Sequence, residues 1–245
     1  MAITFFGDAR QPATDGANSA ATNATITPPG SMATNDYVVV FVSAKTTAVT
    51  ITNSVTGGQT WTAETDAEGS GLSFRTFHCR FNGTWSANPA WSWTNSVPYQ
   101  VWMVVFRGVD TTTGVDAIDT TPNTFSAPAS PFDVTIAAST ISTSTTNCML
   151  VACWTSADDN SYTLQTGGWT NPNGQAQWRN AGGTDSSMAV AYMIQAASGN
   201  NAAVTNRQSA LGGDAGINMI LALRPAAVIG PAAGLRTLGL TGCGI

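Results

Sequence analysis

A chain of 245 residues, 43% of them hydrophobic, is long enough for one large all-β domain or two small ones and too apolar to be disordered. Only 9% of its residues are charged, against roughly 25% in an ordinary soluble domain, and the net charge is −5. That balance excludes a surface for a phosphate backbone, which needs clustered Lys and Arg, and leaves Thr, Ser, Asn and Gly to keep the surface wet; Lys45 is the single lysine.

In chain order, residues 1–29 read as a polar N-terminal arm with one apolar patch at Ile3, Phe5 and Phe6. The start has neither the basic residues nor the long apolar stretch of a secretion signal; a protein made in a host cytoplasm and released by lysis fits that, as would an unconventional export route or a trimmed chain. Thr27-Pro28-Pro29-Gly30 closes the arm, because consecutive prolines stop both helix and ladder. Strands are expected at Asp36–Ala44, Val49–Thr52 and Leu72–Phe81, with turns at Gly57-Gly58 and Asn82-Gly83. A short strand at Pro89–Thr94 precedes the most apolar run, Tyr99 to Val109. Gly108 to Pro131 reads as a long crossover. Beyond it, strands are expected at Phe132–Ile136 and near 148–155, 161–170, 187–195 and 216–224. No stretch shows helical periodicity over a useful length, and none reaches the ~18 apolar residues of a membrane helix, so no membrane partner is expected.

The second half echoes the first. Asp36–Ser43 matches Asn147–Trp154, an offset of 147 − 36 = 111; Ser73–Phe81 matches Ser187–Gln195; Arg107 matches Arg224, an offset of 224 − 107 = 117. Offsets drift this way when loops change length and strands do not. The expectation is an all-β jelly-roll β-sandwich of about eight principal strands in two Greek-key halves, an internal duplication with halves at about 36–109 and 147–225 inside a domain of residues 30–225. Residues 226–245 form an apolar C-terminal tail. Its Val228, Ile229, Leu235, Leu238, Leu240 and Ile245 are candidate assembly contacts, since Gly230, Pro231, Gly234 and Gly239 rule out a stable amphipathic helix.

The inventory of reactive groups is thin. His78 and Cys79 are neighbours on one strand and so face opposite ways, which is wrong for a nucleophile and its base. Glu64, Asp66 and Glu68 read as a solvated loop rather than a glycosidase pair, and replacing any of them or His78 by Ala is expected to leave assembly intact. Asp158-Asp159-Asn160 and the set Asp110, Asp116 and Asp119 have oxygen ligands for calcium but no EF-hand spacing, and turn formation explains them without a metal. Cys148 and Cys153, five apart on one strand, also face opposite ways; with Cys79 they read as buried thiols, and Cys243 as the one candidate for an intermolecular bond. No zinc-ligand spacing exists, and no cofactor is expected. Trp85, Trp91 and Trp93 are candidate glycan-stacking residues, weighed against burial in the core.

The low charge, the Thr/Ala/Gly/Asn-rich surface, the strand ending in Phe106-Arg107-Gly108-Val109-Asp110 and the duplicated pattern together resemble jelly-roll structural proteins of tailed-bacteriophage virions, such as head decoration proteins and fibre modules. The resemblance spans about residues 30–225. It implies a non-enzymatic, oligomeric protein decorating or cementing the particle surface, with other virion proteins and further copies of itself as partners. A carbohydrate- or receptor-binding fibre module working through its tryptophans is the alternative. A glycan-cleaving enzyme is the weakest reading.

Overall fold

A computed structural model describes residues 2–181, 185–208 and 213–227. The first half runs through β1 (Thr4–Gln11), β2 (Ala20–Thr25), β3 (Tyr37–Ala44) and β4 (Thr52–Val55). It continues through β5 (Thr62–Ala63), β6 (Ala67–Gly69), β7 (Leu72–Arg80) and β8 (Ala90–Arg107). The second half opens with β9 (Val115–Ile118), β10 (Asn123–Phe125), β11 (Asp133–Ile136) and β12 (Ser142–Thr143). Then come β13 (Cys148–Ser156), β14 (Tyr162–Leu164), β15 (Trp178–Asn180) and β16 (Ser186–Gln195), followed by β17 (Gly199–Asn200), β18 (Val204–Gln208) and β19 (Gly216–Leu223). The only helical element among the described residues is a 3-10 turn at Pro172–Gly174, and no helix there is long and apolar enough to cross a membrane.

The all-β expectation holds, and the sheets pair antiparallel and pack face to face. The main sheet of the first half has the order β1-β8-β3-β7-β5, and that of the second half β10-β19-β13-β16-β15. A small outer layer lies on each: β2 and β4 flank the first part of β8, while β11 and β14 flank β18. One topology is therefore used twice, edge for edge. The sandwich is thicker than a single two-layer one. A central core joins the main sheets through Val39, Phe41, Val104 and Phe106 from one side and Val151, Cys153, Met219 and Leu221 from the other. Two outer cores fill the space under the small layers, one around Val40, Trp91 and Met103 and one around Leu150, Trp154 and Ala222. Because the main strands are covered on both faces, they read as unbroken apolar runs rather than as alternation.

The cores also fix the correspondence between halves. On β3 the residues facing the central core are Tyr37, Val39 and Phe41; on β13 they are Met149, Val151 and Cys153, which sets the offset at 149 − 37 = 112. The offset of 111 read from sequence pairs Tyr37 with Cys148, whose side chain lies in the outer core. A slip of one residue reverses both faces of a strand, so the alignment there is corrected by one. The later strands keep their expected offset, since Val104 and Leu221, 221 − 104 = 117 apart, share the central core.

Two other expectations change. The supposed N-terminal arm is part of the fold: β1 pairs with β8 along Thr4–Gln11, and β2 pairs with its first part along Ala20–Thr25. Ile3 and Phe5 pack on the central core while Phe6, Ala24 and Ile26 enter the outer one. The crossover after Gly108 supplies the equivalent edge of the second half, with β9 and β10 both pairing to β19. Here Gly114 is required: its φ is +72°, and a Cβ on it would stand 2.5 Å from the ring of Tyr37.

Candidate functional site

The tryptophans divide differently from the sequence expectation. Trp91 is fully buried and Trp93 is 5% exposed, both in the outer core of the first half. Trp93 donates its indole N–H to the carbonyl of Ala21 at 2.8 Å. The reason is register: Ala90–Trp93 is the opening of β8, and the face carrying both indoles is turned down onto β3 and β7 under β2 and β4. Trp91 and Trp93 are therefore core residues and cannot stack on a sugar. Trp85 is half-buried, stacked on Phe81 at 5.1 Å between ring centroids.

The ring that reaches a surface groove is Trp61. Gly57 and Gly58, with φ of +66° and +82°, turn the chain so that Thr56–Trp61 crosses the loop after β7; a Cβ on Gly57 would stand 2.7 Å from the carbonyl oxygen of Ala87. Gln59 holds this crossing. Its amide donates to the carbonyl of Thr84 at 2.7 Å, and its Oε1 accepts the N–H of Asn82 at 2.9 Å. Trp61 donates its indole N–H to the carbonyl of Thr56 at 2.9 Å, meets Trp91 edge-on at 5.4 Å and lies at 6.3 Å from Trp85. The groove beside it has a volume of about 500 Å³, and Thr52, Asn53, Thr60, Arg75 and Phe77 complete its walls. The sequence signal was Gly57-Gly58 placed four residues before a tryptophan, a rigid turn that presents a ring.

His78 is not an idle residue. Its Nε2 lies 2.7 Å from Glu64 Oε1, and its Nδ1 lies 2.8 Å from the hydroxyl of Tyr37. A carboxylate only accepts, so Nε2 carries a hydrogen and donates to Glu64, while Nδ1 pairs with the Tyr37 hydroxyl, and all three groups have a partner. Burial pushes the Tyr37 hydroxyl well above its ordinary range, against the pull of the nearby Arg80 guanidinium. This relay ties β3 and β7 to the segment before β6, so Glu64 and His78 belong to a hydrogen-bonded network rather than to a solvated loop. Cys79 faces the other way, as expected, and burial raises its thiol. Asp66 lies 3.4 Å from Arg75; burial raises its carboxyl in spite of that neighbour.

The acidic residues regroup. Asp158 and Asp159 are joined by Asp185, with ligand oxygens within 4.8 Å of one another. Burial and the neighbouring Asp185 push Asp158 up; burial works against Asp185 as well, but the hydrogen bond from Asp158 and the Lys45 ammonium hold its carboxyl low. The 3.3 Å pair with Lys45 gives this cluster its counter-charge from the other half of the chain. Asp110, Asp116 and Asp119 do not come together. Asp110 accepts the N–H groups of Thr112 and Thr113, and Asp119 accepts that of Thr121. Asp116 binds Arg224, Ser144 and Thr145. Burial pushes the Asp116 carboxyl up, but the hydrogen bonds from Ser144, Arg224 and Thr145 outweigh it and bring it down to about 2.

At the opposite edge, the end of the described chain is tied down. Val109 bridges to Pro225, Asp110 N–H donates to the carbonyl of Arg224 at 2.8 Å, and Ala226 N–H donates to that of Gly108 at 2.8 Å. A groove of about 490 Å³ opens there between Ala2, Asn147, Ile194 and Ala227, and Ile194 is 40% exposed. The expected assembly contacts Val228, Ile229, Leu235, Leu238, Leu240 and Ile245 lie outside the described residues, as does Cys243. Cys79, Cys148 and Cys153 are free, buried thiols. No protein-family model, curated protein or solved structure matches this chain.

Proposed function

We propose that the protein is a non-enzymatic structural component of a tailed-phage particle, a rigid body fixed to the particle surface by its C-terminal segment. The observation that supports this most directly is the apolar composition of the segment that follows the last described strand. β19 ends at Leu223, and the bridge at Val109 and Pro225 ties that strand's end to the end of β8. A further 245 − 227 = 18 residues then follow Ala227, with six large aliphatic side chains among them. Each of those would forgo roughly 1.5–3 kcal/mol if left in water, so a partner surface is the economical place for them. The sparse charge fits the same reading, because neighbouring subunits can pack closely without desolvating ions.

The test is truncation after Ala227. The shortened protein should keep its unfolding midpoint and lose its association, read by sedimentation velocity and by co-pelleting with particles that lack the protein. If the truncated chain associates and co-pellets as the full-length one does, the proposal fails.

A further inference from the structure

We infer that the groove beside Trp61 is a binding site for a neutral pyranose sugar, a site separate from the C-terminal attachment segment. The aromatic side of the argument is Trp61 itself. Its ring is part-exposed on the groove and held from beneath by Trp91, edge-on at 5.4 Å, so it meets a ligand without first being ordered. The C–H face of a pyranose is apolar with slightly positive hydrogens, and it complements the electron-rich face of an indole.

The polar side comes from neutral groups. Thr52, Thr56 and Thr60 are exposed along the groove with hydroxyls that both donate and accept. Asn53 donates both amide hydrogens, to the carbonyls of Val55 and Ala90 at 3.0 Å each, while its Oδ1 has no protein partner.

Charge decides the class of sugar. Arg75 is the cation on the groove, and its guanidinium is already committed: Nε donates to the carbonyl of Glu64 at 2.7 Å, Nη1 donates to that of Ile51 at 2.9 Å, and Asp66 stands 3.4 Å away. With its charge matched by Asp66 and two of its five N–H donors given to backbone carbonyls, Arg75 offers an acidic sugar no unbalanced charge. That selects neutral hexoses and N-acetylhexosamines over sialic or uronic acids. The volume, about 500 Å³, lies in the ~300–1,000 Å³ span of small-ligand sites.

The experiment is a glycan array carrying glucose-, galactose-, mannose- and N-acetylhexosamine-terminated oligosaccharides beside sialylated and uronate ones, probed with the full chain. The best-bound neutral glycan is then titrated by calorimetry. Two variants keep the test independent of folding. Trp61→Ala removes the stacking ring and should weaken binding at least tenfold. Thr60→Arg changes an exposed residue outside the core, fills the groove and should abolish binding with an unchanged unfolding midpoint. Neutral glycans bound by the native protein and lost in both variants support the site. No binding to any neutral glycan, binding to acidic glycans alone, or neutral binding that survives Thr60→Arg overturns it.

Discussion

Asp116→Asn is the sharpest test of how the second half is held closed. Asp116 sits on β9, in the connection from the first half, yet every partner it has lies later in the chain. Its Oδ1 accepts from Arg224 Nε at 2.9 Å, Ser144 Oγ at 2.8 Å and Thr145 Oγ1 at 2.9 Å. Its Oδ2 accepts the backbone N–H of Ser144 at 2.6 Å and that of Thr145 at 3.2 Å. Asparagine matches the shape but can accept on one side only, so its amide hydrogens must face donors whichever way it is turned. The carboxyl is held at about 2 against an ordinary 3.8, and that difference corresponds to about 2 kcal/mol of stability. Because the folded value is the lower one, this contribution is complete above the ordinary carboxylate range and disappears as the pH falls through 3.8 towards 2. Urea unfolding of wild type and variant from pH 6 to pH 2.5 should show a difference of about 2 kcal/mol at pH 6 that narrows steadily below pH 4. A variant within 0.5 kcal/mol of wild type at pH 6, or a difference that does not change with pH, would refute the reasoning.

His78→Ala should destabilise by about 1–3 kcal/mol, because it strands the buried Tyr37 hydroxyl and removes the partner of Glu64. Adding Tyr37→Phe should recover part of that loss, and a double-mutant cycle by urea unfolding that shows strict additivity would mean the two residues do not act as a unit. Leu221→Asp, at a fully buried position between the main sheets, should leave no cooperative unfolding transition, since an unpaired buried charge costs several kcal/mol; a sharp thermal transition near that of wild type would place Leu221 outside the core.

The main strands were legible because burial on both faces leaves long apolar runs, and β3, β7, β13, β16 and β19 fall within a residue or two of where the sequence places them. The same property hid their register: a run such as Val38–Val42 has no polar face to mark which side is which, so the echo between halves was misaligned by one at β3. The edge strands were illegible for a different reason. β1 carries Gly7, Asp8 and Arg10 and β2 carries Asn23, residues that read as loop, and only pairing with the 18-residue β8 makes strands of them. At the candidate site, a cluster of Trp was visible but not its depth. Trp91 and Trp93 look more prominent than Trp61 in the sequence, and the layer formed by β2 and β4 is what buries them. The contact of Glu64 with His78, fourteen residues apart, depends on how the segment before β6 returns along β7.

The length of β8 has a mechanical consequence. Its residues 90–98 belong to the outer layer and residues 99–107 to the main sheet, with exposed Thr94, Asn95 and Ser96 opposite the register shift between Ala21 and Asn23. A pull on the first half's outer layer therefore passes into the centre of the molecule along covalent bonds. In the second half the corresponding strands, β18 and β19, are separate elements, and the Gln208 side chain holds Asp214 beside the end of β18 by donating to its carbonyl and accepting its N–H. One half thus joins its layers through a single unbroken strand, and the other through two strands with a side-chain clasp between them.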